Sequence, residues 1–184
     1  KLIKLEFSNL YSYGANNVGE NSDIGSILGV NPFSICLWYK PSESYADHNM
    51  IIDQRINQNY GDGWYILHVG NSIRFAIANG PSSEIQLYSS AQSFEANTWH
   101  HISCIWDGAN AKIYLNGSLD NITTIESRRG NTVGMRIGSR LDSGYFLDGN
   151  VDKILIWERA LSELEVTQDM NNEFGTLENG LIGY

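Results

Sequence analysis

Residues 133–165 read VGMRIGSRLDSGYFLDGNVDKILIWERALSELE, and this stretch decides the fold. Met135 and Ile137 alternate with polar neighbours until Gly138 closes the run, and Leu141–Gly144 makes a loop. Phe146–Gly149 then leads into VDKILIW, a second strand. Strict alternation puts Val151, Lys153, Leu155 and Trp157 on one face and Asp152, Ile154 and Ile156 on the other. After Trp157 the period changes. Ser162 with Glu165 three residues on forms a capping box, preceded by Leu161, and predicts a short helix from Glu163 to about Asn172. The order is strand, loop, strand, helix.

The flanking sequence repeats the strand signal. Pro32–Pro41 (PFSICLWYKP), Met50–Asp53, Trp64–Val69, Ile73–Ala78, Glu84–Ser90 and Trp99–Gly108 (WHHISCIWDG) are short apolar runs separated by turn residues. In Lys112–Leu119 the dipeptide Asn116–Gly117 predicts a two-residue hairpin turn, because both central residues need positive φ. Lys1–Phe7 alternates as an edge strand with charges outward, and Ser8–Gly29 is a long polar segment. Ten to fourteen strands with one late helix predict an all-β fold, a two-sheet antiparallel sandwich or jelly roll. The expected organisation is one domain over residues 1–184, excised from a longer, multidomain protein.

Composition narrows the function. The 184 residues carry a formal charge of −9 with 18 % charged residues, 18 glycines, 5 tryptophans and 10 tyrosines. An acidic chain without a basic stripe speaks against nucleic acid, and no apolar run reaches membrane-spanning length. Cys36 and Cys104 both fall in apolar strand patterns. Either a disulfide joins neighbouring strands, or both are buried free thiols; two cysteines make no framework.

These runs resemble laminin-G-like modules of the concanavalin A-like lectin/glucanase superfamily, bacterial or phage type. The resemblance rests on Ile137–Gly138 with Phe146–Glu165, on PFSICLWYKP, which is similar to F-T-I-S-A-W-V-K-P, and on WHHISCIWDG, which is similar to W-H-H-V-A-x-x-Y-D-G. It covers residues 30–170 well. Leu177–Tyr184 (LENGLIGY) resembles the G-L-x-G-Y-W that opens a following module. The N-terminal F-D-G-x-x-D-Y-V of the family is changed: Phe7 is followed by Ser8–Asn9, and Asn16–Asn17–Val18 stands where the acidic pair belongs.

The resemblance implies a concanavalin A-like jelly roll that binds a carbohydrate or cell-surface component in an extracellular, cell-surface or virion setting. Its partners are then a glycan or surface protein and other modules of the parent chain, without membrane insertion. The competing expectation is a structural, adhesion or protein–protein module with no glycan ligand. Two rim segments concentrate aromatic and hydrogen-bonding side chains. They supply the expected ligand-binding residues Arg55, Asn57, Tyr60, Asp62 and Trp64, with Arg140 and Tyr145; Tyr45, His48 and Tyr88 are further candidates. Trp38, Trp99, Trp106 and Trp157 are expected in the core, Trp64 too on its strand pattern, and Tyr60 at the surface. No cofactor is required. A structural Ca²⁺ is the one metal the resemblance implies, at Asp152 with Gly149 and with Asn16 or Asn17. A non-enzyme is expected: glucanases of this fold need paired carboxylates facing one cleft, and no strand here alternates them. His100 and His101, adjacent on a strand, face opposite ways and cannot share a ligand.

Overall fold

The computed structural model describes residues 11–12, 19–21, 28–42, 48–56, 62–80, 82–90, 94–140, 145–171 and 181–183. The strands are β1 (Tyr11–Ser12), β2 (Gly19–Asn21), β3 (Phe33–Pro41), β4 (His48–Asp53), β5 (Trp64–Val69), β6 (Ser72–Gly80) and β7 (Ser83–Tyr88). After them come β8 (His100–Trp106), β9 (Asn110–Leu115), β10 (Ser118–Thr124), β11 (Met135–Ile137), β12 (Gly149–Trp157) and β13 (Leu181–Gly183), and between β12 and β13 lies the helix α1 (Glu163–Met170).

Two antiparallel sheets face each other. The first runs β1-β12-β3-β8-β9-β10 with β13 also on β12, and the second runs β2-β11-β4-β5-β6-β7. Every strand of sequence 30–157 that alternates sends its apolar set inward. Phe33, Ile35, Leu37 and Tyr39 of β3, Ile102, Cys104 and Trp106 of β8, Trp64 and Ile66 of β5, and Ile73, Phe75 and Ile77 of β6 belong to one buried cluster. This is the all-β sandwich that the alternation predicts. The expected edge strand at residues 1–7 lies outside the described residues. The long polar segment contributes two very short strands, β1 and β2, too short to show a period.

Local signals hold where chemistry forces them. Ser162 and Glu165 form the complete capping box. Asn116 and Gly117 both have positive φ, and Ser118 pairs with Leu115 across the turn. Cys36 and Cys104 are buried free thiols. Their strands are neighbours, but Cys104 stands opposite Ile35 and Cys36 opposite Ser103. That one-residue offset sends them to opposite faces of the sheet: Cys104 joins the inter-sheet core, Cys36 the cluster under the helix.

Three expectations are corrected. In β12 the pairing to β3 slips between Asp152 and Leu155, and Lys153 has φ +48. The bulge brings Val151 inward with Ile154 and Ile156 and leaves Asp152 and Lys153 together at the surface, so the strict two-face assignment fails after Val151. Trp99 is not core: it is 40 % exposed, with Lys40 Nζ 5.1 Å from its ring centre. Trp38 is only half-buried and packs on His101.

Candidate functional site

The outer face of the second sheet carries the groove. Outward positions alternate along each strand: His48 and Met50 on β4, Tyr65 and Leu67 on β5, Arg74 and Ala76 on β6, Glu84, Gln86 and Tyr88 on β7. Cross-strand register aligns them into rows, Met50–Leu67–Arg74–Tyr88 and Asp53–Tyr65–Ala76–Gln86. A groove of about 180 Å³ opens here, and the segment after β11 closes one end of it with Arg140 and Tyr145. That volume is below the roughly 300–1,000 Å³ of drug-sized pockets and suits one sugar ring or a small polar group.

A chain of polar contacts fixes the floor. Tyr65 Oη donates to Glu84 Oε1 at 2.8 Å, Gln86 Nε2 donates to the same oxygen at 2.6 Å, and Tyr88 Oη donates to Gln86 Oε1 at 2.7 Å. Burial and the nearby Glu84 carboxylate push the Tyr65 phenol well up, against Arg74, so it stays a donor. Arg55 forks onto Asp53, Nε to Oδ1 at 2.7 Å and Nη2 to Oδ2 at 2.9 Å, and lies 4.1 Å over the Tyr65 ring.

The end wall is aromatic and cationic. His48 stacks on Tyr145 at 4.9 Å and 19° between planes, and the Arg140 guanidinium lies 4.2 Å over the same ring. Tyr145 has φ +51, an uncommon conformation for a bulky residue, and Met50 N–H donates to its carbonyl at 3.1 Å. The backbone is thus held in a costly turn that presents the ring, which is 43 % exposed. Tyr88, 39 % exposed, stands beside the floor with the Arg74 guanidinium 5.2 Å over its ring.

Of the residues expected from sequence, Arg55, Arg140 and Tyr145 meet in this groove, joined by His48. Arg55 is buried, so its role there is to hold Tyr65. Trp64 is corrected as a ligand residue: it points between the sheets, fully buried against Phe33, and offers no face outside. Asp62 is turned away and paired with Arg129, whose segment also binds the 54–63 loop through Asn131. Asn57, Tyr60 and Tyr45 lie outside the described residues. Sequence reading missed Tyr65, Arg74, Glu84 and Gln86. The alternation of Glu84, Gln86 and Tyr88 against Ile85 and Leu87 was the available signal.

For the expected cation, Asp152 is exposed on the bulge, its Oδ1 accepting Lys153 N–H at 2.8 Å, and Gly149 is buried at φ +147 on the same strand. Asn16 and Asn17 lie outside the described residues. Among the described residues, no three His, Cys, Asp or Glu side chains gather as a metal site. Glu84 is the one carboxylate among the groove's described lining residues. The double-displacement and inverting schemes of glycoside cleavage both need two. Among the described residues, no helix is long and apolar enough to cross a membrane.

A two-sheet sandwich with an aromatic and polar groove on one outer sheet face is the architecture of a lectin-like module. The chain belongs to the concanavalin A-like lectin/glucanases superfamily, whose laminin G-type family model matches residues 14–167. Pentraxin-related protein PTX3 of Mus musculus is 23 % identical, over 87 % of this chain and 45 % of its own length. The binding domain of botulinum neurotoxin serotype G superposes with a TM-score of 0.62 at 21 % identity, over 78 % of this chain and 37 % of that one. The binding domain of botulinum neurotoxin DC in complex with SialylT superposes at 0.61 with 18 % identity, over 79 % and 37 %. The chain therefore spans less than half the length of each, and likenesses at this identity speak for the fold alone.

Proposed function

We propose that this chain is a non-catalytic binding module of a secreted, surface or virion protein, holding a glycan in the groove between Tyr145 and Tyr88. The observation that carries this reading is the Tyr145 ring, presented on a strained turn and braced by His48 and Arg140 beside a row of short polar side chains. Sugars offer C–H faces to aromatic rings and hydroxyls to such side chains. Covering about 80 Å² of one tyrosine face contributes roughly 2 kcal/mol gross. Millimolar affinity needs about 4 kcal/mol net of ordering costs. Two faces and the Glu84–Gln86 row reach that level, and little more. The SialylT complex of the neurotoxin domain is a property of that protein, but it supports a saccharide as the kind of ligand to try first.

The test is a glycan array on the full chain, followed by calorimetric titration of any hits. Affinities of about a millimolar, lost when Tyr145 or Tyr88 is replaced by alanine, are expected. The second reading, a protein–protein module, is favoured by Leu119 and Ile122, both exposed on edge strand β10. A blank array together with a stable oligomer in solution would select it over the first.

A further inference from the structure

Among the groove's cations, Arg74 is set apart. Arg55 is neutralised by Asp53. Glu84 gives its Oε1 to Tyr65 and Gln86 instead of pairing with Arg74. Arg74 lies 5.2 Å over the Tyr88 ring, and its one hydrogen bond is a long one, Nη1 to Tyr65 Oη at 3.4 Å. Its Nε, shielded from solvent, has no partner. Among the described residues no carboxylate stands within ion-pair distance of it. Arg74 is thus a groove cation without a carboxylate partner among the described residues, in a chain whose net charge is −9.

Resting on the glycan reading above, we propose that the ligand is an acidic saccharide and that Arg74 receives its carboxylate. A planar guanidinium with unspent N–H groups matches a carboxylate fork, and each such charge-assisted bond is stronger than a neutral one. One cation without a carboxylate at ion-pair distance suits an anion of charge −1. Glu84 across the floor repels a doubly charged phosphate more strongly than a singly charged carboxylate. The Tyr88 ring beneath the guanidinium keeps it flat and limits the freedom lost on binding. On an acidic chain, the Arg74 charge also helps to draw an anionic ligand to this face.

The experiment titrates the full chain with 3′-sialyllactose, its methyl ester, lactose and a singly sulfated lactose. The acid is expected to bind at least about tenfold more tightly than the ester. Its advantage is expected to shrink between 20 and about 300 mM NaCl, while ester binding stays level. Arg74→Lys keeps the stem and charge but loses the fork, and Arg74→Gln loses both. The acid's advantage over the ester should fall in the first and vanish in the second, with circular dichroism unchanged. Equal affinity of acid and ester overturns the carboxylate assignment and leaves the glycan reading standing. Preference for the sulfated sugar, or an acid preference that survives Arg74→Gln, also overturns it. No binding of any probe, with a blank array, overturns both.

Discussion

His101 Nε2 and Asp169 Oδ2 meet 2.8 Å apart beneath the C-terminal helix, with both side chains almost fully buried. His101 stands on the outer face of the first sheet, and Asp169 descends from the last turn of α1. Around them Cys36, Ile105, Tyr114 and Trp157 pack under Leu161 and Val166. Burial, and then the Asp169 carboxylate, push the Cys36 thiol well up, so this thiol is inert. His100, the preceding residue, turns inward against Phe94. The His-His pair thus serves two layers: one ring packs toward the core and the other anchors the helix.

Removing one partner of this pair leaves a polar group buried and uncompensated. Asp169→Ala is expected to cost about 3 kcal/mol, and a urea midpoint measures it. Asp169→Leu combined with His101→Phe is expected to recover much of that loss, because an apolar pair of similar volume strands no polar group. A single Asp169→Ala variant as stable as the parent would remove the anchor from the account.

His68 makes stability depend on pH. Its ring lies between the sheets with Tyr39 Oη 2.9 Å from Nδ1 and Phe94 beside it. Burial, with a smaller push from His100 and against a hydrogen bond with the Gly70 backbone, lowers its pKa from 6.5 to about 4. The unfolded chain therefore binds more protons between these values, and stability falls as pH drops through that window. The fall is on the order of 3 kcal/mol at most. Asp107 and Glu165 act lower. Burial alone would raise Asp107, but bonds from Lys112 and two backbone N–H groups outweigh it; Arg159 holds Glu165 down, and both rest at about 2. Their contribution is present above the ordinary carboxylate range and is lost as pH falls toward 2. Denaturation midpoints at pH 7 and pH 4.5 should differ clearly in the parent and much less in His68→Gln.

The sheets, the hairpin turn at Asn116–Gly117 and the helix cap were legible because each follows from short-range sterics or alternation. The bulge in β12 was not. Lys153 at φ +48 carries no local signature, and one inserted residue was enough to move Val151 and expose Asp152. Trp99 sits in a family-like motif but just outside β8, where the sheet no longer covers it. The groove was half legible. Arg140, Tyr145 and Arg55 stand out in rim segments, whereas Tyr65, Arg74 and Glu84 become neighbours only when β5, β6 and β7 pair. Register is a tertiary property, and periodicity shows a face without showing what stands beside it.

Two aromatic residues, one from each rim segment, should separate binding from folding. Tyr145→Ala removes an exposed ring and is expected to change stability by less than about 1 kcal/mol while abolishing glycan binding. Trp64→Ala opens a cavity against Phe33 and is expected to cost about 3–5 kcal/mol. Thermal melts with array binding on the same samples distinguish them. If Tyr145→Ala bound as the parent does, the end wall of the groove would not be the sugar platform.

Calcium at Asp152 is expected to bind weakly. Calcium takes six to eight oxygens, and tight sites supply several carboxylates. Asp152 brings one, and a Lys153 N–H already engages it. Calorimetric titration with CaCl₂ is therefore expected to show no saturation below about 0.1 mM. Any weaker heat should disappear in Asp152→Ala. Micromolar binding that survives this substitution would place calcium elsewhere.

The same bulge offers a direct gain. Lys153 occupies the left-handed region, which costs a residue with a Cβ roughly 1 kcal/mol, while its side chain is exposed. Glycine adopts that conformation without the penalty but loses more freedom on folding. Lys153→Gly is thus expected to stabilise by about 0.5–1 kcal/mol, and Lys153→Val, β-branched and stiffer at positive φ, to destabilise by about 1–2 kcal/mol. Urea denaturation of the three proteins measures the order. If glycine proved the least stable, β12 would run through this position without a bulge, and Asp152 would return to the face that strict alternation assigns it.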